Sequence, residues 1–156
     1  MSEKTLAMKV LSGQGIDYEV RTYPETERDA VKVAAHLGVP AGQVFKTLVV
    51  IRERGKPLLV MIPADRQLNL KRLAKEVGEK KVKMAGHGEA EQFTGLQVGG
   101  ISPLVLLHKP FTIFLDDTAK EQETIFISAG QKGINLGVSV ADLITVTRAK
   151  FVQATG

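Results

Sequence analysis

The stretch Val44-Phe45-Lys46-Thr47-Leu48-Val49-Val50-Ile51 carries the densest β-strand signal among the 156 residues of the chain. A polar segment at 52–57 separates it from a second apolar run, Leu58-Leu59-Val60-Met61-Ile62. Two such runs joined by a short polar segment predict a β-hairpin. Because side chains this apolar need cover on both faces of a sheet, we expect both strands to be central.

Amphipathic helices and shorter strands are expected on either side of this hairpin. Apolar residues at helical spacing predict helices over 6–11, 28–37, 70–77 and 89–93 and a last helix from Ser139, with Asn69 as a candidate N-cap. Residues that favour β-structure predict further strands at 18–23, 81–84, 104–107, 112–115 and 124–128. Since helices and strands mix without a regular βαβ period, we expect residues 1–156 to form one α+β domain on a mixed sheet.

Composition and charge are those of an ordinary globular domain. Lysine and arginine number 21 and aspartate and glutamate 17, which gives a formal charge of +4, and hydrophobic residues make up 44%. These values exclude a disordered chain, a collagen-like chain and a coiled coil. The apolar runs are too short to span a bilayer and no signal peptide is visible, so we expect a cytoplasmic protein that does not enter a membrane.

The residues do not predict a metal, an organic cofactor or a common nucleophile. The absence of cysteine excludes disulfides, a thiolate zinc site and a cysteine nucleophile. The three histidines, His36, His87 and His108, lack metal-binding spacing, and each is interpreted as a surface or helix-end residue. No phosphate-binding glycine motif occurs, and Ser128 lacks the glycine pattern of a nucleophile elbow.

Basic residues concentrate in one segment of the chain. The six of them are Lys71, Arg72, Lys75, Lys80, Lys81 and Lys83. With Glu76 and Glu79 the segment carries +4, so the rest of the chain is neutral. One interpretation is a phosphate-binding patch. The other is a solvated helix face followed by a strand edge that lysines protect from pairing.

Three further places are unusual. Lys46 shares a strand face with Val44 and Leu48, so it either snorkels to water or holds a phosphate or carboxyl group at a pocket mouth. Val98-Gly99-Gly100-Ile101-Ser102-Pro103 is either an ordinary turn or a loop whose N–H groups stabilise an oxyanion. Ser128-Ala129-Gly130-Gln131-Lys132-Gly133 is either a polar binding loop or a tight connection.

Together, these places resemble the YbaK/EbsC family, the free-standing relatives of the editing (insertion) domain of bacterial prolyl-tRNA synthetase. The resemblance rests on the order and spacing of Val44–Leu48, Gly99–Leu104 and Ile127–Gly133, with Thr94-Gly95 and Asp142-Leu143 in agreement. It covers nearly the whole chain. It implies a mixed, mostly antiparallel sheet or partial barrel flanked by helices.

The resemblance also implies an activity and the residues that carry it. Family members hydrolyse the ester between a wrong amino acid and the terminal adenosine of tRNA(Pro). The substrate's own thiol attacks in Cys-specific members, and water attacks in Ala-specific ones. The catalytic positions carried over to this chain are Lys46, Gly99, Gly100 and Pro103. The substrate-binding positions are Tyr23, Thr47, Ile101, Ser102, Ser128 and Asn135.

The implied partner is the acceptor end of an aminoacyl-tRNA, with prolyl-tRNA synthetase as a second partner that could select the tRNA. No metal or cofactor is implied. The basic segment from Lys71 to Lys83 is then a candidate docking surface for the acceptor stem, an assignment based on its charge alone. Two alternatives stay open, namely a non-catalytic module that binds aminoacyl-tRNA or a synthetase, and a small-molecule binder in which Lys46 pairs with a carboxylate.

The chain departs from the Cys-specific pattern at three points. The segment 24–29 is shorter and lacks a pocket phenylalanine, Asn135 stands in place of an aspartate, and Val105 stands in place of a glycine. These differences bear on the substrate amino acid. Cys-tRNA(Pro) is the first expectation, followed by alanine or another small amino acid.

Overall fold

The computed structural model describes residues 4–156 and contains, over that range, five α-helices and eight β-strands. The helices are α1 (Leu6–Gly13), α2 (Ala30–Leu37), α3 (Leu70–Val77), α4 (His87–Thr94) and α5 (Val140–Thr147). The strands are β1 (Glu19–Thr22), β2 (Phe45–Arg52), β3 (Leu58–Pro63), β4 (Val82–Met84), β5 (Thr112–Asp116), β6 (Thr124–Ser128), β7 (Ile134–Ser139) and β8 (Lys150–Val152). None of these helices is long and apolar enough to cross a bilayer.

The predicted hairpin lies at the centre of a five-stranded sheet with the order β4-β2-β3-β5-β8. Strand β2 pairs antiparallel with both β3 and β4. Strand β3 pairs parallel with β5, and β5 pairs parallel with β8. All six residues of β3 are buried. The expectation that both strands of the hairpin are central is confirmed.

Strands β1, β7 and β6 form a second sheet, in that order, and all of its pairs are antiparallel. This sheet meets the first one at a parallel bridge between Val44, just before β2, and Phe126 of β6. The protein is α+β and mostly antiparallel, as expected. The strands form two sheets instead of one, and they do not close into a barrel, because β4 and β8 remain at the edges of the larger sheet.

The hydrophobic core has clusters on both faces of the larger sheet. Val49 and Leu59 belong to a cluster that also contains Leu11 of α1 and Leu143 of α5. The neighbouring residues on the two strands point to the other face, where they pack against α3, chiefly against Leu73. The alternation of side chains along the hairpin therefore fixes which helices cover which face.

Local sequence signals explain where two of the elements begin. The Asn69 side chain accepts a hydrogen bond from the Arg72 N–H at 3.0 Å, which confirms the predicted cap of α3. The strand predicted at 104–107 is wrong, because Pro103–Val105 forms a 3-10 turn. Proline fixes φ near the helical value at the first position of this turn, and Ser102 Oγ accepts from the Leu104 N–H at 3.3 Å.

A buried carboxylate holds the end of the chain onto the larger sheet. Asp116, the last residue of β5, is fully buried. It accepts hydrogen bonds from the Ala154 N–H at 2.8 Å and from Thr155 Oγ1 at 3.1 Å. Bonds to a charged acceptor are stronger than those between neutral groups, so Asp116 fixes the segment that follows β8.

Candidate functional site

A cavity of about 410 Å³ lies beside the first half of β2, where the two sheets meet. Its volume is within the roughly 300–1,000 Å³ of small-molecule sites. Seven of the ten residues expected to act on the ester line it, and they are Tyr23, Lys46, Thr47, Gly99, Ile101, Ser128 and Asn135. The other three, Gly100, Ser102 and Pro103, are buried and do not line it.

The cavity occupies a gap along one edge of β2. On that edge the Ala85 N–H donates to Val49 O, and the ladder with β4 covers Val50–Arg52. The peptide groups of a strand alternate between its two edges, so the N–H and C=O of Thr47 point to the same edge as those of Val49. The ladder does not reach Thr47, and the main chain there faces the cavity.

Lys46 precedes Thr47 on β2. Its main chain is paired with Ile62 of β3, and the residue lines the cavity. Its side chain is half-buried, and it forms no salt bridge with any residue from 4 to 156. Taking an ammonium partly out of water without a counter-charge is unfavourable. Lys46 is therefore a cation available to a phosphate or carboxyl group in the cavity.

The hydroxyl of Thr47 is the second unusual polar group of this strand. Its Oγ1 is enclosed, and within the described residues it has no hydrogen-bond partner. An unpaired buried hydroxyl costs about 1–3 kcal/mol of stability, and a valine would fill the same space without that cost. The contacts within the protein do not explain the threonine, whereas a partner in the cavity, water or ligand, does.

The double glycine allows two loops to pack against each other. Gly99 has φ +95°, in the left-handed region that favours glycine. A Cβ at Gly100 would lie 3.0 Å from Gln131 Cα and 3.1 Å from Lys132 N, so the loops touch through their main chains. The Gly100 N–H donates to Gln97 O at 2.8 Å, and it is therefore not free to stabilise an oxyanion.

Ser102 and Pro103 are buried behind the Gly99 loop and do not line the cavity. Ser102 is fully buried, and its hydroxyl caps the 3-10 turn that Pro103 begins. Because their side chains are used in this turn, these two residues set the course of the main chain at Gly99 and Ile101. Gly100, Ser102 and Pro103 thus lie behind the residues that line the cavity.

The second sheet supplies the opposite wall of the cavity. Ser128 of β6 and Asn135 of β7 are directly opposite each other in the antiparallel pair, so their side chains share one face. Ser128 Oγ accepts from the Gly130 N–H at 3.1 Å. The Tyr23 N–H donates to Gly133 O at 2.9 Å, which fixes the residue after β1 to the same loop.

Sequence reasoning missed five charged or titratable residues of the cavity, namely Glu25, Glu27, Arg28, His87 and Lys132. Glu27 Oε1 lies 3.4 Å from His36 Nε2. His87 is the first residue of α4 and lies 3.5 Å from Glu91 Oε2, which also accepts from the Val98 N–H. Only Lys132 had a sequence signal, since it stands inside the glycine-bounded loop.

The interpretation of the histidines as helix-end or surface residues is confirmed. His36 lies in the last turn of α2, His87 begins α4, and His108 is exposed. Between residues 4 and 156 there is no group of three histidine, aspartate or glutamate side chains placed to hold a metal ion.

The basic residues expected to bind tRNA differ in their surroundings. Arg72 donates to Thr155 O at 3.2 Å and to Gln153 Oε1 at 2.8 Å, so its guanidinium is engaged with the C-terminal segment. Lys71 and Lys75 are exposed on α3. This part of the segment fits a solvated helix face better than a shared phosphate site.

The other lysines of the segment lie near the far end of β2. Lys80, Lys81 and Lys83 are exposed, and Lys83 is opposite Ile51. Ile51 is five residues from Lys46, which is about 17 Å at the rise of an extended strand. We name Lys80, Lys81 and Lys83 the distal lysines, since they are separated from the cavity by this length of strand.

The contact at Gly100 predicts how the loops respond to one added methyl group. Gly100→Ala should lower the free energy of unfolding by about 1–3 kcal/mol, because neither main chain can move without strain. Gly88→Ala is the matched control, since a Cβ at Gly88 of α4 meets nothing within 4 Å. It should leave stability unchanged or raise it by up to about 1 kcal/mol. Urea unfolding of both variants measures this, and equal stability would contradict the packing described.

Comparison with known proteins places the chain in a family. The model of the aminoacyl-tRNA editing domain matches residues 24–146. A protein of Enterococcus faecalis named as a proposed Cys-tRNA(Pro)/Cys-tRNA(Cys) deacylase, EbsC, is 32% identical over 155 residues, which are 98% of this chain and 94% of that protein. The proline–tRNA ligase of Nitratidesulfovibrio vulgaris is 31% identical over 127 residues, which are 79% of this chain and 20% of the ligase.

The fold of the chain also matches that of a solved structure. A crystal structure described as a proposed trans-editing enzyme for prolyl-tRNA synthetase superposes with a TM-score of 0.84 over 99% of both chains, at 22% identity. At that identity the likeness concerns the fold alone. The family model and the near-full-length relative decide the assignment, and the chain belongs to the aminoacyl-tRNA editing domain family.

Proposed function

We propose that this protein is a trans-editing hydrolase that removes a wrongly attached small amino acid from tRNA(Pro). Cys-tRNA(Pro) is the first substrate, and Ala-tRNA(Pro) or another small aminoacyl-tRNA is the next. Family membership and the similarity to EbsC support a deacylase. The observation that carries the proposal is the half-buried, unpaired Lys46 in a cavity beside the Gly99 loop.

The reaction is the hydrolysis of an ester. Water adds to the carbonyl carbon, the bond from that carbon to the ribose oxygen breaks, and the ribose oxygen takes a proton. With a cysteinyl substrate the thiolate of the substrate attacks first, and water then opens the resulting thiolactone. The products are the free amino acid and a tRNA with a free terminal hydroxyl. Neither route needs a serine or cysteine nucleophile from the protein, or a metal or organic cofactor.

In this proposal Lys46 and the main chain bind different parts of the substrate. Lys46 supplies the positive charge that fixes the terminal adenosine or its phosphate. Gly99, Ile101 and the open edge of β2 at Thr47 offer main-chain groups for the ester, a task for which the Gly100 N–H is not free. Donors placed in advance where negative charge develops stabilise a transition state without reorganisation.

The test of the proposed function is turnover. Cys-tRNA(Pro), Ala-tRNA(Pro) and Pro-tRNA(Pro) are incubated with a catalytic amount of protein, and release of the labelled amino acid is followed. We expect many turnovers on one or both misacylated tRNAs and none on Pro-tRNA(Pro). A protein that protects the ester from spontaneous hydrolysis is instead the non-catalytic binding module. If it retains no tRNA even at low salt, the small-molecule alternative holds.

Replacement of Lys46 separates a functional cation from a snorkelling one. Lys46→Ala should lower the single-turnover rate at least about 100-fold, as loss of one charge-stabilising group does elsewhere. It should not lower the unfolding midpoint, because it removes an unpaired ammonium from a partly buried site. Lys46→Arg should rescue poorly, since a planar guanidinium does not replace a compact ammonium. An alanine variant with normal turnover would remove Lys46 from the site.

We also propose that the distal lysines contact the acceptor stem of the tRNA. They lie about 17 Å from Lys46 along β2, at the strand rise of 3.3–3.4 Å per residue, so a substrate bound at the cavity has to extend along the strand to reach them. Arg54 and Lys56, in the turn after β2, add positive charge to the same end of the sheet. Arg72 is left out of this surface because of its bonds to the C-terminal segment.

The salt dependence of turnover tests the distal lysines. Lys81→Gln with Lys83→Gln should reduce the slope of log kcat/KM against log salt by about 1.8 on charged tRNA, at roughly 0.9 per duplex phosphate contact. Hydrolysis of an aminoacylated CpCpA trinucleotide should not change, because it has no stem. The control removes the same charge elsewhere, through Lys9→Gln with Lys150→Gln. A wild-type slope in the first variant would support the solvated-surface interpretation.

The proposed substrate indicates the compartment in which the protein acts and the partner with which it acts. Residues 1–156 act as one editing domain in the cytoplasm, where aminoacyl-tRNA is used. The chain matches a fifth of the prolyl ligase of N. vulgaris, which supports prolyl-tRNA synthetase as the partner that presents the tRNA. The hydrolysis assay repeated with added synthetase measures this contribution.

A further inference from the structure

Lys132 is a second lysine of the cavity, and the reaction described above gives it no task. It is half-buried, and it forms no salt bridge with any residue from 4 to 156. It shares both properties with Lys46, which reaches the cavity from the other sheet. A cavity with two unpaired, partly buried ammonium groups favours an anionic ligand.

The loop that carries Lys132 is held at several points. The Ala129 N–H donates to Ile134 O at 3.0 Å and closes the loop between β6 and β7. The main chain at Gln131 and Lys132 packs directly on Gly100, as the distances of 3.0 and 3.1 Å to a Cβ there indicate. Lys132 is thus attached to a fixed main chain at the cavity.

The side chain of Lys132 has a defined course across the neighbouring loop. A Cβ at Gly99 would lie 3.7 Å from its Cγ and 3.9 Å from its Cε, so the methylene stem runs past Gly99. The ammonium is one bond beyond Cε and lies beside the loop assigned to the ester. The absence of a side chain at Gly99 leaves the space that this stem occupies.

The acidic groups of the cavity do not neutralise Lys132. Glu27 faces His36 at 3.4 Å and also accepts a hydrogen bond from the Asp29 N–H at 3.3 Å. Glu25 lies against the same loop, since a Cβ at Gly133 would be 3.6 Å from its Cβ, yet it forms no ion pair with Lys132. No carboxylate of the described residues pairs with the Lys132 ammonium, which is therefore available to an anion in the cavity.

We propose that Lys132 binds the phosphodiester that precedes the terminal adenosine of the tRNA, which leaves Lys46 to the adenosine itself. This inference rests on the proposed function, because the ester and the phosphodiester belong to one substrate. Phosphate is the anion that a single-stranded 3′ end presents next to its last nucleoside. A compact ammonium suits it as a point charge. Lys132 is a substrate-binding residue in this assignment, and it takes no part in breaking the ester.

The experiment compares three substrates that differ in phosphate content, namely aminoacyl-adenosine, aminoacyl-CpA and charged tRNA. Lys132→Met keeps the stem that passes Gly99 and removes the charge. We expect kcat/KM to fall about tenfold on the two substrates with a phosphodiester, through KM, as for loss of one charge-assisted hydrogen bond. The slope against log salt should fall by about 0.7 on aminoacyl-CpA. Aminoacyl-adenosine should react within a factor of two of wild type.

Two further variants complete the test. Lys132→Arg should restore binding, because the charge returns, and Lys150→Met on β8 should match wild type on all substrates. An equal loss on all three substrates, aminoacyl-adenosine included, would overturn the phosphate assignment, as would no loss on any. Wild-type protein that hydrolyses none of them would overturn the proposed function and this inference with it. Active wild type with an unaffected Lys132→Met variant would overturn this inference alone.

Discussion

Strand β2 has one edge paired with β3 and another edge divided between two partners, and the cavity depends on that division. At its start β2 meets β6 through the bridge at Val44, and at its end it pairs with β4 from Val50 onward. Between these contacts the edge at Lys46–Leu48 faces no strand. Since the main-chain polar groups of a strand need partners, those at this stretch are left to water or to a ligand in the cavity. The site is therefore a gap in a sheet, lined by the loops at its two ends.

The two loops beside the gap act as one unit because they touch through glycines. A Cβ at Gly100 would contact the main chain of the second loop, and a Cβ at Gly130 would lie 2.7 Å from Val105 Cγ2. Glycine in such positions loses much conformational freedom on folding, so both loops carry an entropic cost. In return, the glycines allow a close contact between the loops that side chains would prevent. Movement of either loop changes the position of both walls, Gly99 on one side and Ser128 on the other.

The sequence predicted the regular part of the fold better than the irregular part. The hairpin and the Asn69 cap depend on neighbouring residues, so their patterns are readable along the chain. The run 104–107 has β-forming residues, but Pro103 starts a 3-10 turn that overrides them. The two sheets meet at the long-range bridge of Val44 with Phe126, which no local pattern encodes.

Local sequence patterns also predicted only part of the candidate site. The family motifs pointed to the strand and the two loops, but spacing does not show which side chains of an irregular loop face inward. Ser102 and Pro103 turned out to be buried, and Arg72 is bound to the C-terminal segment. Glu25, one of the charged residues that were missed, lies against the loop at Gly133 because the Tyr23 N–H fixes the segment after β1 there.

Under the proposed function, volume alone cannot explain how the cavity separates a wrong amino acid from proline. A cavity that admits cysteine also admits smaller side chains, and apolar walls distinguish a methylene by only about 1–3 kcal/mol. Polar groups discriminate more strongly, because a substrate that lacks their partner leaves them unpaired, and a site built around such bonds rejects the mismatch by about 10⁴–10⁵-fold. The α-nitrogen of proline is part of the ring and carries one hydrogen fewer than that of cysteine or alanine. The acceptors in the cavity that can sense this difference include the Thr47 hydroxyl, which has no partner among the described residues, and the Glu25 carboxylate. Hydrogen bonding at the ester end therefore adds to whatever rejection of proline the size of the cavity provides.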